Sequence, residues 1–267
     1  MTNSRAAAFA DMLRPLAHRG LHVPRSERIE NTATAFSAAI AAGVGIECDV
    51  QPTRDGNAVV FHDETLERLT DETGPVVDRT IDELTRICYP GTGDRILTLD
   101  ALLDITRGQV PLFVEIKSDW SPPNLDVIRA ICHQLTAYRG AAAVMSFDPA
   151  VLSAVRELAP GLLRGIVACR YTAADWPDAA PDQERRDRLS HLLENDAAQP
   201  DFVNYRVGDL PTPVTRYIRE VQRLPLLTWT VRDTTTLKAA TRWADAPVFE
   251  MLSPADVWAA MNAQRGS

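Results

Sequence analysis

The chain has 267 residues, and 28 Lys+Arg against 36 Asp+Glu leave a net charge of −8, with 45% hydrophobic and 24% charged residues. This balance is that of a globular protein and excludes a disordered or collagen-like chain. The acidity and the lack of any Lys/Arg block argue against nucleic-acid binding. No apolar run approaches the ~18 residues of a membrane-spanning helix, so stable membrane insertion is not expected. The apolar run Ala6–Ala10 is followed at once by Asp11 and Arg14, so no signal peptide is read there and a cytoplasmic location is expected. Cysteines at 48, 88, 132 and 169 show no C-x-x-C spacing and read as reduced thiols in or near the core, without a zinc site.

In chain order, short apolar, β-branched stretches alternate with segments of helical period. The predicted strands are Leu16–Arg19, Gly45–Gln51, Pro111–Lys117, Ala142–Phe147, Arg164–Ala168, Asp201–Tyr205, Leu226–Val231 and Val248–Leu252. The predicted helices are Thr32–Ala42, Leu99–Thr106, Leu125–Tyr138, Pro149–Leu158, Gln183–Asp196, Pro213–Arg223, Thr235–Trp243 and Pro254–Asn262. Alternating strand and helix argues for a parallel sheet. Eight such units in a chain near the ~250 residues of a (β/α)₈ barrel predict an α/β fold of that kind, closed as a TIM barrel. No Gly/Ser linker or composition shift interrupts the chain, so residues 1–267 are read as one domain.

One stretch breaks the alternation. Gly45–Gln51 runs into Pro52–Asn57 and then Ala58–His62, with no room for a helix. Asp55-Gly56 between strand-like residues is a hairpin signal. A two-residue turn there sets Asp49 opposite His62, with Glu47 on the same face. A loop longer by one residue would flip that face. Residues 63–98 follow as a small insert.

Three places carry chemistry. Glu47 and Asp49 point the same way from an apolar strand, and like charges buried together call for a proton or a cation. Hard divalent cations take oxygen ligands; the alternative is a solvated edge strand. Glu115 and Lys117 end one face of a strand whose other face is apolar, as a functional acid and base or as a simple salt bridge. His18-Arg19-Gly20 ends the first predicted strand. At one end of one barrel, these residues and His62 gather three acids, two histidines and two cations, a set suited to a phosphate diester. A divalent ion and two cations hold the anion. Two imidazoles, which ordinarily titrate near neutrality, serve as base and acid. No G-x-S-x-G or G-x-G-x-x-G competes.

The string His18-Arg19-Gly20, Glu30-Asn31-Thr32 with Ala35-Phe36, Glu47-x-Asp49-Val50-Gln51-x-Thr53-x-Asp55-Gly56, then Val59-Val60-Phe61-His62-Asp63-x-Thr65-Leu66-x-Arg68 resembles the glycerophosphodiester phosphodiesterases. The likeness continues through Gly74, Val76, Thr98-Leu99, Glu115-x-Lys117, Ser146-Phe147-Asp148 and Trp229-Thr230-Val231. It implies a (β/α)₈ barrel and metal-dependent hydrolysis of a glycerophosphodiester to glycerol 3-phosphate and an alcohol, in glycerol and lipid metabolism. It implies one divalent cation, Ca²⁺ or Mg²⁺, on Glu47, Asp49 and Glu115, with His18 as base, His62 as acid, and Arg19 and Lys117 near the phosphate. In the family the substrate's own hydroxyl attacks phosphorus and water then opens the cyclic phosphate. Phe147 and Trp229 match positions near the mouth, as substrate contacts or as core. The expected partner is a small molecule, with homo-oligomer formation left open. A lysophospholipase D and a non-catalytic binding barrel are the alternatives. Three departures stand out: Ile29 where the family has Pro, Arg232 where it has Asn, and Glu250 through Pro254 in place of its Thr-Asp-x-Pro. Arg232 is expected to favour a more anionic head group.

Overall fold

A computed structural model describes residues 3–23, 28–172 and 181–265. Its strands are β1 (Leu16–Ala17), β2 (Gly45–Pro52), β3 (Ala58–Val60), β4 (Leu97–Thr98), β5 (Leu112–Ile116), β6 (Ala142–Ser146), β7 (Leu163–Ala168), β8 (Phe202–Arg206), β9 (Leu226–Val231) and β10 (Ala246–Phe249). They form one sheet in the order β1-β10-β9-β8-β7-β6-β5-β2-β3-β4, and β1 also pairs with β2. With the antiparallel β3 and β4 set aside, this is the circular strand order of a (β/α)₈ barrel.

The predicted elements recur with small shifts. Thr32, Thr98, Asn124 and Asp148 are N-caps, each side chain accepting a backbone N–H of the first turn, so helices start where the sequence offers a cap. The last strand is Ala246–Phe249 rather than Val248–Leu252. Pro247 lacks an N–H and its register against β9 is irregular, and Met251 at φ +61° turns the chain out of the sheet. The segment predicted as the helix Gln183–Asp196 breaks into Gln183–Ser190 and Asn195–Ala198, with Leu192 at φ +59° between them. The helix predicted over Pro213–Arg223 ends at Tyr217 and continues as a π-helical turn, Ile218–Gln222.

By chain proximity the residues fall into two units. The first, Leu16–Lys117 with Asn124–Val144, is built around β2, which pairs parallel with β1 and β5 and antiparallel with β3. β2 is buried along all but its last residue. Here the hairpin exists but its register differs from the prediction. Val50 pairs Val60 and Pro52 pairs Ala58, so Phe61, not His62, faces Asp49. The reason is the loop. Arg54-Asp55-Gly56 is a three-residue turn with Gly56 at φ +77°, and Thr53 N–H donates to Asn57 O at 2.9 Å. Such loops need the left-handed glycine and shift the ladder by one.

The insert packs against the hairpin. Val59, Phe61, Leu66, Val76, Leu84, Ile87, Tyr89 and Ile96 form a buried cluster. Cys88, in this segment, is exposed, whereas Cys48, Cys132 and Cys169 are buried, so the expectation that all four thiols are in or near the core fails at Cys88.

The second unit, Met1–Pro15, Ser118–Pro123 and Met145–Ser267, carries β7 to β10 as parallel neighbours. The run Ala6–Ala10 lies in the helix Asn3–Ala10. Its Phe9 is fully buried and stacks on Phe202 at 4.7 Å, and Arg5 is ion-paired to Asp201. Burying a phenylalanine contributes ~1.5–3 kcal/mol, which holds so short a helix in place. No described helix is long and apolar enough to cross a membrane.

Candidate active site

β2 supplies the first two acids. Glu47 and Asp49, two residues apart, share one face, and the parallel register sets Asp49 beside Glu115 of β5. All three are buried, and one oxygen from each lies within 4.8 Å of the others. Lys117, just past the end of β5, places Nζ 2.7 Å from Asp49 Oδ1 and 2.5 Å from Glu115 Oε1.

The compensation is uneven. Burial pushes the Asp49 carboxyl up, but Lys117, His62, Arg19 and His18 outweigh it and hold the group well below the usual range. Glu47 goes the other way: burial, then repulsion from Asp49 and Glu115, raises it well above the ordinary value. The Arg19 backbone N–H, donating to Glu47 Oε2 at 3.0 Å, does not offset this. A third buried carboxylate that lacks a full countercharge, facing two others, is the electrostatics of a cation site. Three hard oxygens fit a divalent ion such as Ca²⁺ or Mg²⁺.

His18-Arg19-Gly20 turns out of β1 over this cluster. Arg19 and Gly20 both have positive φ, +54° and +78°. A Cβ on Gly20 would come within 2.9 Å of Phe36 Cδ1 and 3.0 Å of the Ala35 backbone, so this turn requires glycine. His18 Nε2 lies 4.0 Å from Glu47 Oε2. Arg19 Nη1 donates to Glu30 Oε1 at 2.7 Å, and its Nε stands 3.4 Å from Asp49 Oδ2. That Nε is buried and, beyond this ion-pair contact with Asp49, makes no hydrogen bond.

His62 reaches the same place by another route than predicted. β3 ends at Val60, so His62 is free of the ladder's alternation. Gln51 Nε2 holds its carbonyl at 2.9 Å, and Asp63 Oδ1 holds its Nδ1 at 2.6 Å. Asp49 feels the charge of both histidines. Four residues not predicted as site residues therefore belong here: Asn31, Glu30, Asp63 and Arg68. Asn31, buried and at φ +57°, bonds Asp49, and Glu30, Asp63 and Arg68 link Arg19 to His62. Their signal was the motif itself, in which all four stand, but they lie outside the predicted strands.

In the second unit, Phe147 follows β6 and Trp229 lies in β9. Their rings meet edge to face at 5.4 Å, half-buried against the cluster around Tyr171 and Tyr205. Trp229 Nε1 donates to Asn204 O at 3.1 Å. Arg232 Nε pairs with Glu250 Oε1 at 2.6 Å, so the added cation comes with a counter-charge.

Comparison with known proteins agrees with this geometry. A family model described as "Glycerophosphoryl diester phosphodiesterase family" matches residues 18–250. A Mycobacterium tuberculosis protein named "Probable glycerophosphodiester phosphodiesterase 1" is 33% identical over 215 residues, 69% of this chain and 77% of that protein. A Caldanaerobacter subterraneus glycerophosphodiester phosphodiesterase is 35% identical over 165 residues, 57% of this chain and 65% of that one. Among solved structures, an Oleispira antarctica phosphodiesterase in complex with the product sn-glycerol-3-phosphate superposes with a TM-score of 0.71 at 21% identity, covering 97% of this chain and 99% of the other. The fold is that of the (β/α)₈ phosphodiesterases. The chain belongs to the glycerophosphoryl diester phosphodiesterase family, a family of phosphoric diester hydrolases.

Proposed function

We propose that this protein hydrolyses glycerophosphodiesters to glycerol 3-phosphate and an alcohol, by His18/His62 acid–base catalysis at a divalent metal centre. The observation that carries this reading is the convergence of Glu47, Asp49 and Glu115 within 4.8 Å, bordered by Arg19, Lys117, His18 and His62. The product bound in the Oleispira antarctica structure is the phosphomonoester that this reaction releases.

Glu47, Asp49 and Glu115 would hold one ion, Ca²⁺ or Mg²⁺, which when bound supplies Lewis-acid stabilisation of the phosphoryl oxygens. Arg19 and Lys117 hold the non-bridging oxygens. His18 takes the proton of the substrate hydroxyl next to the phosphoester, and that oxygen attacks phosphorus. His62, its Nδ1 held by Asp63, delivers a proton from Nε2 to the departing alkoxide. A cyclic phosphate and a free alcohol result. In the second half His62 takes a proton from water, the water oxygen opens the ring, and His18 returns its proton to the ring oxygen.

The test is release of glycerol 3-phosphate from a panel of glycerophosphodiesters and lysophospholipids, with and without chelator. Release from soluble diesters, lost on chelation, is expected. Faster turnover of lysophospholipids would favour the lysophospholipase D reading, and no turnover of any diester would sink the proposal.

A further inference from the structure

We propose that Arg68, which touches none of the metal-site carboxylates, is a positioning residue that fixes the orientation of His62 through Asp63. This inference rests on the reading of His62 as general acid.

One guanidinium grips two carboxylates. Arg68 Nη1 and Nη2 reach Glu30 Oε2 and Oε1 at 3.0 and 2.7 Å, and Nε and Nη2 reach Asp63 Oδ2 and Oδ1 at 2.5 and 2.9 Å. Each carboxylate has a second partner inside the site. Asp63 Oδ1 also holds His62 Nδ1 at 2.6 Å, and Glu30 Oε1 also accepts Arg19 Nη1 at 2.7 Å. The result is a chain of hydrogen bonds, His62–Asp63–Arg68–Glu30–Arg19, that ends 3.4 Å from Asp49. Glu30, pinned by Arg19, is the fixed post; Arg68 extends from it to hold Asp63.

The arrangement has a purpose beyond stability. The Arg68 side chain is 46% exposed, and a pair so exposed is worth only ~0–1 kcal/mol to the fold. Yet all four hydrogen bonds come from a planar fork matched to two carboxylates, a geometry that a lysine point charge cannot reproduce. Asp63 follows His62 directly, and its carboxylate can keep Nε2 aimed at substrate only while its own rotamer is held. With Nδ1–H donating to the Asp63 carboxylate, Nε2 is the nitrogen left to exchange a proton with substrate. Arg68 acts on that aim at one remove, as outer partners of catalytic imidazoles do.

The experiment measures kcat/KM of the full-length protein, with saturating divalent cation, for glycerophosphodiesters bearing an alkyl or a nitrophenyl leaving group. An alkoxide needs His62's proton; a nitrophenolate does not. Arg68→Met is expected to lose ~10–100-fold on the alkyl ester and several-fold less on the aryl ester. Arg68→Lys, which keeps charge and bulk, is expected to fall between Arg68→Met and the parent, and serves if Arg68→Met does not fold. His62→Ala and the double variant complete a cycle: if Arg68 acts through His62, the double loses no more than His62→Ala alone. Equal losses on both esters in Arg68→Met, an Arg68→Lys indistinguishable from the parent, or additive losses in the double variant would overturn the proposal. Equal losses on both esters in His62→Ala would instead overturn the acid role of His62, and the cycle would still judge whether Arg68 works through it.

Discussion

Asn31 and Asp49 hold one another from two sides. Asn31 Nδ2 donates to Asp49 Oδ2 at 2.9 Å, and Asn31 Oδ1 accepts the Asp49 backbone N–H at 3.4 Å. The asparagine sits at φ +57°, a conformation that Asn tolerates better than most residues. Its own N–H donates to Arg19 O at 2.9 Å, which ties the turn after β1 to the central carboxylate. Asn31→Ala is expected to weaken divalent-cation binding ~10–100-fold, as loss of an outer-shell partner does. Calorimetric titration of stripped protein checks this; an unchanged Kd would mean that Asp49 holds its place without Asn31.

Glu115 and Lys117 share a face, and the proposed mechanism gives them different tasks. Glu115→Gln is expected to cripple cation binding. Lys117→Met is expected to leave the cation bound while raising KM and lowering kcat. Paired titrations and kinetics separate them, and equal loss of cation in both variants would contradict the division.

Glu30 makes stability sensitive to acid. Burial pushes its carboxyl up, but Arg68 and Arg19 outweigh it and hold the pKa at about 2, against 4.5 for the free side chain. With the folded value below the unfolded one, the carboxylate stabilises the fold above pH ~4.5. That contribution is lost as the pH falls through this window toward about 2. Denaturant unfolding of Glu30→Gln across this range should show a shallower fall in stability than the parent; parallel curves would show that Glu30 is not the group titrating.

Much of this was legible in the chain. Capping residues and apolar spacing located the helices that precede and follow β5 and β6, because those signals are local. The i, i+2 spacing of Glu47 and Asp49 placed both on one face whatever the partner strand. What failed depended on backbone geometry without a sequence signature. The three-residue loop at Arg54–Gly56 and the two-residue turn predicted there share the same Asp-Gly, yet differ in register by one. His62 joined the site only because β3 stops at Val60. Glu30, Asn31, Asp63 and Arg68 act from turns, where period carries no information, and the positive φ of Asn31 and Arg19 is visible only in the fold.

The two histidines should separate by leaving group. His18→Ala is expected to lose activity on alkyl and aryl diesters alike, since attack is needed in both. His62→Ala should lose ~10²–10⁴-fold on the alkyl ester and much less on the aryl one. The reverse pattern would exchange the two roles.

The most direct test of the account is cation-dependent release of glycerol 3-phosphate from a glycerophosphodiester by stripped and reloaded protein. Stripped protein is expected to be inactive, to regain turnover with Ca²⁺ or Mg²⁺, and to melt at a higher temperature with the ion, which binds the native state. Glu47→Gln, Asp49→Asn and Glu115→Gln should each prevent recovery. Turnover that persists in excess chelator after stripping, or that survives all three substitutions, would contradict a metal centre on Glu47, Asp49 and Glu115.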